Sequence, residues 1–228
     1  MDHAAAPQSI LARPERAFPL VRHLSVPLSR ALVRLPVTPN QITSLSLACA
    51  LGGAWCFADP GYGLQLTGAL LFLAFYVLDN CDGEIARAKG LSTRFGLYYD
   101  TFVDWVGHAA LFVGLGAGAA ASWGSRWWFW LGVAGAAGGT INYFLGLAMD
   151  LKAGGAKDTA SAPPRTGKPR LIDTLGYVLR ELTRADFCFI LLALALAGWA
   201  WALLPAAALG AQAYWLAAFI KGVREHHV

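Results

Sequence analysis

The sequence predicts an all-α membrane protein, with six transmembrane helices preceded by a basic amphipathic interfacial helix. Three observations predict it. Of the 228 residues, 57% are hydrophobic and only 14% charged, where a soluble domain carries about 45–50% apolar and about 25% charged residues. So little charge cannot wrap a water-soluble body, which counts against secreted enzymes, nucleic-acid modules and disordered chains. Apolar stretches recur at lengths that suit a bilayer, since one spanning helix needs about 20 residues. Finally, 17 of the 18 Lys and Arg residues fall on one side of the resulting map, as they do when basic residues stay cytoplasmic. The net charge of +4 is thus a topology signal, and no nucleic-acid partner is expected.

The N-terminus does not read as a signal peptide, because no clean apolar core follows its first charges. Residues 13–36 instead interleave Arg13, Arg16, Arg22, Arg30 and Arg34 with Phe18, Leu20, Val21, Leu24, Leu28, Leu32 and Leu35. That pattern suits a helix lying among the headgroups of anionic membrane lipid; the alternative is a disordered basic arm. Residues 1–38 are therefore expected to form a cytoplasmic N-terminal segment, and 39–228 the six-helix domain.

Six apolar stretches follow, at about 40–58, 64–86, 97–121, 127–149, 186–203 and 206–222. Pro39 suits the first turn of a helix, where its missing N–H costs nothing. Asp59-Pro60-Gly61 and Ser122 to Ser125 read as turns, and Leu204-Pro205 is expected to divide the last apolar run into two spans. An even number of spans puts both termini on one side with the loops near 87–95 and 150–185, leaving only Arg126 opposite. The 150–185 loop contains Lys152, Lys157, Arg165, Lys168 and Arg170 and a short helix near 170–183. Its charge serves topology and attraction to anionic lipid, or the capture of an anionic substrate. Trp127, Trp128 and Trp130 mark a membrane boundary. The Gly-Ala runs at 114–121 and 132–139 favour close helix contact and are candidates for a dimer face. Cys49, Cys56, Cys81 and Cys188 form no CxxC pair and read as small core residues.

Acidic residues inside membrane segments are functional suspects by default. Asp79 and Asp82 end the second stretch, spaced i,i+3, and Asp100 and Asp104 begin the third, spaced i,i+4, so each pair shares a helix face. Gly83, Ala86 and Arg87 continue the first stripe, and Gly96 lies one turn before Asp100. Facing carboxylates repel, so a cation belongs among them. Hard oxygen ligands without a His or Cys cluster point to Mg²⁺ or Mn²⁺, and two acid pairs can hold two ions of the kind that clamp phosphoryl oxygens. The structural alternative is a salt-bridge network with Arg87, Lys89 and Arg94. His108, one turn beyond Asp104, reads as a packed polar residue, and Glu84, rotated off the stripe, as a surface residue.

The run Asp79-x2-Asp82-Gly83-x2-Ala86-Arg87-x8-Gly96-x3-Asp100-x3-Asp104 resembles the full signature of the CDP-alcohol phosphotransferases, eight fixed positions across 26 residues. Pro39-Asn40-x2-Thr43 is similar to a second element of that family. The resemblance implies transfer of a substituted phosphate, phosphatidyl with CDP-diacylglycerol as donor, from a CDP-linked donor to a small polar alcohol, with release of CMP. It implies that Asp79, Asp82, Asp100 and Asp104 bind the metal pair and that Asp104 is also the general base. Asn40, Thr43, Gly83, Ala86, Arg87, Thr93 and Gly96 would then hold the CDP moiety, in a homodimer.

Two cues about the acceptor conflict. Family members that use phosphorylated or inositol acceptors often place Lys or Arg after the last motif Asp, and here that residue is Trp105. Asp82-Gly83-Glu84, in contrast, is similar to the inositol-phosphate branch. The reading from another class is a transporter or channel whose intramembrane acids bind cations, and a third is a catalytically dead scaffold. The acids lie near one end of uninterrupted patterns, with no visible repeat, which favours the enzyme over the transporter. An intact signature disfavours the scaffold.

Overall fold

Pro39 opens the first long helix as its sequence position predicts. Thr38 accepts the Gln41 N–H, and the Gln41 side chain accepts the Thr38 N–H in return, which completes a capping box. The computed structural model describes Leu11, residues 18–152 and residues 185–225. Its helices are α1 (Val21–Leu32), α2 (Pro39–Phe57), α3 (Tyr62–Lys89), α4 (Arg94–Trp123), α5 (Trp127–Lys152), α6 (Phe187–Leu196) and α7 (Leu203–Glu225). Arg13 and Arg16 lie outside the described residues. So do Lys157, Arg165, Lys168, Arg170 and the short helix expected near 170–183.

Among the described residues, α3, α4 and α5 are long and apolar enough to cross a membrane. Helix α2 is interrupted by Asn40, Gln41, Thr43, Ser44 and Ser46, which dilute its apolar content. The stretch expected at 186–203 is not one helix. It forms the ten-residue α6, a turn, and a 3₁₀ segment at Ala200–Ala202. The break lies at Gly198, whose φ of 72° suits glycine and few other residues. Pro205 falls instead within the first turn of α7, where no N–H is needed.

Helix α2 is the hub, packing against both α3 and α4; α5 packs on α4, and α7 on α5. Helices α1 and α6 both lie on α3. The main core gathers Phe57, Phe72, Phe75, Val103, Leu111 and Leu191, all fully buried. A smaller cluster of Ile42, Cys81 and Ile85, with Leu28 and Leu32 packed on it, seats α1. The outward surface is apolar too, with Leu45, Leu70, Phe144 and Leu209 exposed, as a lipid-facing wall requires. Trp127 is 77% exposed at the start of α5, whereas Trp128 packs against Trp123 and Trp201.

Several glycines of the two runs serve close contacts within the chain. A side chain at Gly114 or Gly118 would collide with the backbone carbonyl of Ala54 or Phe57, so these glycines let α4 lie directly on α2. Gly116 and Gly132 bring α4 and α5 together, and Gly138 faces Ala211 and Gln212 of α7. All four cysteines are free thiols, with Cys81 and Cys188 buried.

Helix α1 has no side-chain cap from its own neighbours. The fully buried Asp186 supplies one from the start of α6, accepting the Leu20 N–H at 2.7 Å and the Val21 N–H at 2.8 Å. Glu84, expected at the surface, is buried under α1 with 2% exposure. It accepts a hydrogen bond from Ser25 Oγ at 3.0 Å and faces Arg22 Nε at 3.6 Å. An acid one position off the motif stripe points at the neighbouring helix, and α1 covers that face.

Candidate active site

Helices α3 and α4 keep their backbones apart while α2 packs on both, so a gap opens between the faces that carry the acids. Asp79 and Asp82 enter this gap from α3 and Asp100 from α4. One oxygen from each of the three lies within 4.8 Å of the others. Helix periodicity predicts the two faces, and their convergence follows from α2 bridging the pair. Thr43, on the second turn of α2, donates to Asp82 Oδ2 at 2.5 Å and so orients that carboxylate.

Among the described residues, no ion pair offsets the charge of this cluster. Asp79 Oδ1 and Asp100 Oδ1 are buried and accept no hydrogen bond. No Lys or Arg among the described residues stands within 4.0 Å of these three acids, and Lys89 donates instead to the carbonyls of Leu35 and Val37. The salt-bridge alternative therefore does not account for the acids. Three converging carboxylates with orphaned oxygens are a donor set that fits a hard divalent cation.

Asp104 stands apart from the trio. Its carboxylate lies 3.1 Å from His108 Nδ1 and half exposed at the mouth of a cavity. His108 Nε2 in turn meets the Tyr76 hydroxyl at 2.8 Å. Tyr76 sits inside an apolar run with no local signal of a polar role, and the sequence reading missed it.

The remaining motif residues assemble outside that cavity, whose wall contains none of them. The Arg87 guanidinium lies over Gly83, with Nη1 3.3 Å from where a Cβ would stand. Thr93 caps α4 by accepting the Gly96 N–H at 3.0 Å. Asn40 Oδ1 and Thr93 Oγ1 both approach Gly96, so that a side chain there would press on both. Asn40, Thr93 and Gly96 thus form one polar corner, although 56 residues separate the first from the last. Ala86 lies in the last turn of α3, where its carbonyl accepts the Leu91 N–H at 2.8 Å.

Comparison with known proteins agrees with this geometry. The family model for CDP-alcohol phosphatidyltransferase matches residues 36–219. A phosphatidylinositol phosphate synthase of Mycobacteroides abscessus is 36% identical over 99 residues, which is 43% of this chain and 44% of the relative. The protein of the same name from Mycolicibacterium smegmatis is 38% identical over 93 residues, 40% of each chain. A bifunctional IPC transferase and DIPP synthase of Rubrobacter xylanophilus is 40% identical over 88 residues, 39% of this chain and 20% of the relative. The chain spans less than half the length of the curated relatives it matches.

Proposed function

The chain belongs to the CDP-alcohol phosphatidyltransferase family, and from that premise we propose that it transfers a substituted phosphate from a CDP-linked donor to an alcohol, releasing CMP, in phospholipid biosynthesis. CDP-diacylglycerol is the donor this reading favours, so that the group moved is phosphatidyl. Apolar helices and family together indicate an integral membrane protein. The observation that carries the proposal is the convergence of Asp79, Asp82 and Asp100 with two buried oxygens left unpartnered.

Those three acids, with Asp104, are assigned to a pair of Mg²⁺ or Mn²⁺ ions. When bound, the ions supply positive charge that polarises the phosphoryl oxygens and steadies the leaving group. The chain's own residues do the rest. Arg87, free to swing over Gly83, pairs with pyrophosphate oxygens. The corner of Asn40, Thr93 and Gly96 holds the nucleotide end, and Thr43 keeps Asp82 in register. Gly83 and Ala86 leave the α3 stripe low enough for the CDP moiety to lie along it.

Asp104 takes the proton from the acceptor hydroxyl as its oxygen forms the new P–O bond. The P–O bond to CMP breaks in the same displacement, and CMP leaves with the electron pair. A carboxylate placed beside a neutral alcohol suits this task because the alcohol is a poor nucleophile until the proton departs. The names of the mycobacterial relatives put inositol phosphate on the panel of acceptors to be tried.

In this reading the active domain is 39–228, with six membrane passes, α1 at the headgroups of anionic lipid, both termini cytoplasmic, and a homodimeric assembly. The 17 basic residues on one side of the map support that orientation. The test is equilibrium binding of CDP to the purified full chain in lipid, with and without Mn²⁺. Binding should require the metal and weaken at least tenfold in Asp82→Asn and Arg87→Ala. Metal-independent binding, unchanged in the two variants, would remove the site from the proposal.

A further inference from the structure

Beyond Asp104 lies a cavity of about 1080 Å³ between α3, α4, α5, α6 and α7. It is separate from the polar corner of Asn40, Thr93 and Gly96, none of which lines it. Its wall contains Asp79, Asp104 and His108, neutral polar groups such as Asn80, Thr101 and Asn142, and otherwise mostly aromatic and aliphatic surface. Among the described residues that line it, none is Lys or Arg.

Trp105 is central to this wall. It follows Asp104 directly, stacks on Tyr143 with ring centres 4.9 Å apart and planes 13° from parallel, and donates its Nε1–H to Thr140 Oγ1 at 2.9 Å. The indole is thus held from two sides. One turn to either side of Tyr143, α5 exposes Gly139 and Gly146, where a Cβ would meet nothing within 4 Å. The space is open because the side chains are missing.

A phosphate monoester taken out of water needs cationic partners, ideally the paired N–H groups of arginine. Among the described residues this wall offers no guanidinium or ammonium, and its one imidazole, His108, is already engaged by Asp104 and Tyr76. Hydroxyl groups, in contrast, find donors and acceptors in Asn80, Thr101 and Asn142, and an apolar or ring body finds Trp105 and Tyr143.

We propose that this cavity, with Trp105 as the specificity-determining residue, receives the acceptor as an alcohol that carries no anionic group. The inference rests on the transferase reading above and narrows it, setting the chain apart from the relatives named for inositol phosphate products. Both a free polyol and a glycerolipid hydroxyl satisfy the chemistry, so the experiment includes both.

The full chain in lipid nanodiscs is given CDP-diacylglycerol and Mn²⁺ with myo-inositol, dioctanoylglycerol, inositol phosphate or glycerol phosphate, and CMP is measured. One uncharged arm should exceed both phosphorylated arms at least tenfold, and Trp105→Arg should narrow that ratio at least threefold. Separately, a thiol introduced by Gly139→Cys is labelled with a maleimide, with the wild-type protein as background. The productive uncharged alcohol should slow labelling at least threefold, and the phosphorylated compounds should not. Faster CMP release or stronger protection with a phosphorylated acceptor overturns the proposal, as does CMP release without protection by any acceptor. Protection by an uncharged alcohol without CMP release from any arm would instead uphold the cavity's selectivity and defeat the transferase reading.

Discussion

His108 holds Asp104 from one helical turn away. Its Nδ1 faces the Asp104 carbonyl at 2.8 Å and the carboxylate at 3.1 Å. Both are acceptors, so Nδ1 carries a proton, while Nε2 pairs with the Tyr76 hydroxyl at 2.8 Å. Three rings, Phe72, Phe75 and Phe187, surround the imidazole and keep its plane fixed. The proposed base is therefore oriented by a residue outside the motif.

Removing that support should slow turnover without disturbing donor binding. Outer-shell partners of this kind commonly contribute about 10–100-fold. His108→Ala is expected to lower kcat within that range while the KM for the CDP donor stays within about twofold of wild type. Tyr76→Phe deletes one hydrogen bond, worth about 0.5–1.5 kcal/mol, and should give the same pattern more weakly. Steady-state kinetics on both variants checks this.

The acid trio makes a prediction about stability. Uncompensated carboxylates repel, so the metal-free protein should be strained at this point and the loaded protein relieved. Binding to the folded state alone stabilises by about 2.7 kcal/mol at a ligand concentration 100 times Kd. Thermal unfolding of the wild type should rise with Mn²⁺ and fall back with chelator. In Asp79→Asn the metal-dependent rise should shrink or vanish, while the metal-free midpoint should equal or exceed that of the wild type.

Asp186 joins the two ends of the chain through α1, and its loss should be costly. An N-cap is worth about 0.5–2 kcal/mol, and here the freed N–H groups of Leu20 and Val21 face a protein interior. Asp186→Ala is expected at the upper end of that range by thermal unfolding in detergent. Limited proteolysis should show faster cleavage before α1 in the variant.

Gly114 tests the α2–α4 contact. Gly114→Val would drive a branched side chain into the Ala54 carbonyl, and overpacking of this kind costs about 1–3 kcal/mol. Gly63→Ala, where nothing lies within 4 Å, is the matched control and should leave the midpoint of thermal unfolding unchanged or slightly raised. Equal loss in both variants would contradict the packing described.

What was legible in the sequence follows from how far each signal reaches. The i,i+3 and i,i+4 spacings announce which acids share a helix face, and Pro39 announces where α2 begins. The gap between α3 and α4 is set by α2 and could not be read from either pair. The division of the last apolar run was misplaced because Pro205 is the stronger breaker in general, yet it is tolerated in a first turn, and Gly198 supplies the left-handed residue instead. Small residues at 114–121 and 132–139 announce close approach without naming the partner, which for Gly114, Gly118 and Gly132 is a neighbouring helix of the same chain. Asp186 caps a helix start 166 positions earlier, and no local pattern encodes such a pairing.

The most direct measurement is metal-dependent CMP release from CDP-diacylglycerol by the purified full chain in lipid, across a panel of alcohols, with Asp104→Asn beside the wild type. A positioned general base contributes about 10²–10⁴-fold. The account predicts release that needs Mg²⁺ or Mn²⁺, stops with chelator, and falls at least 100-fold in the variant. Release that survives Asp104→Asn unchanged, or a folded and metal-loaded protein that frees no CMP with any alcohol, would contradict it.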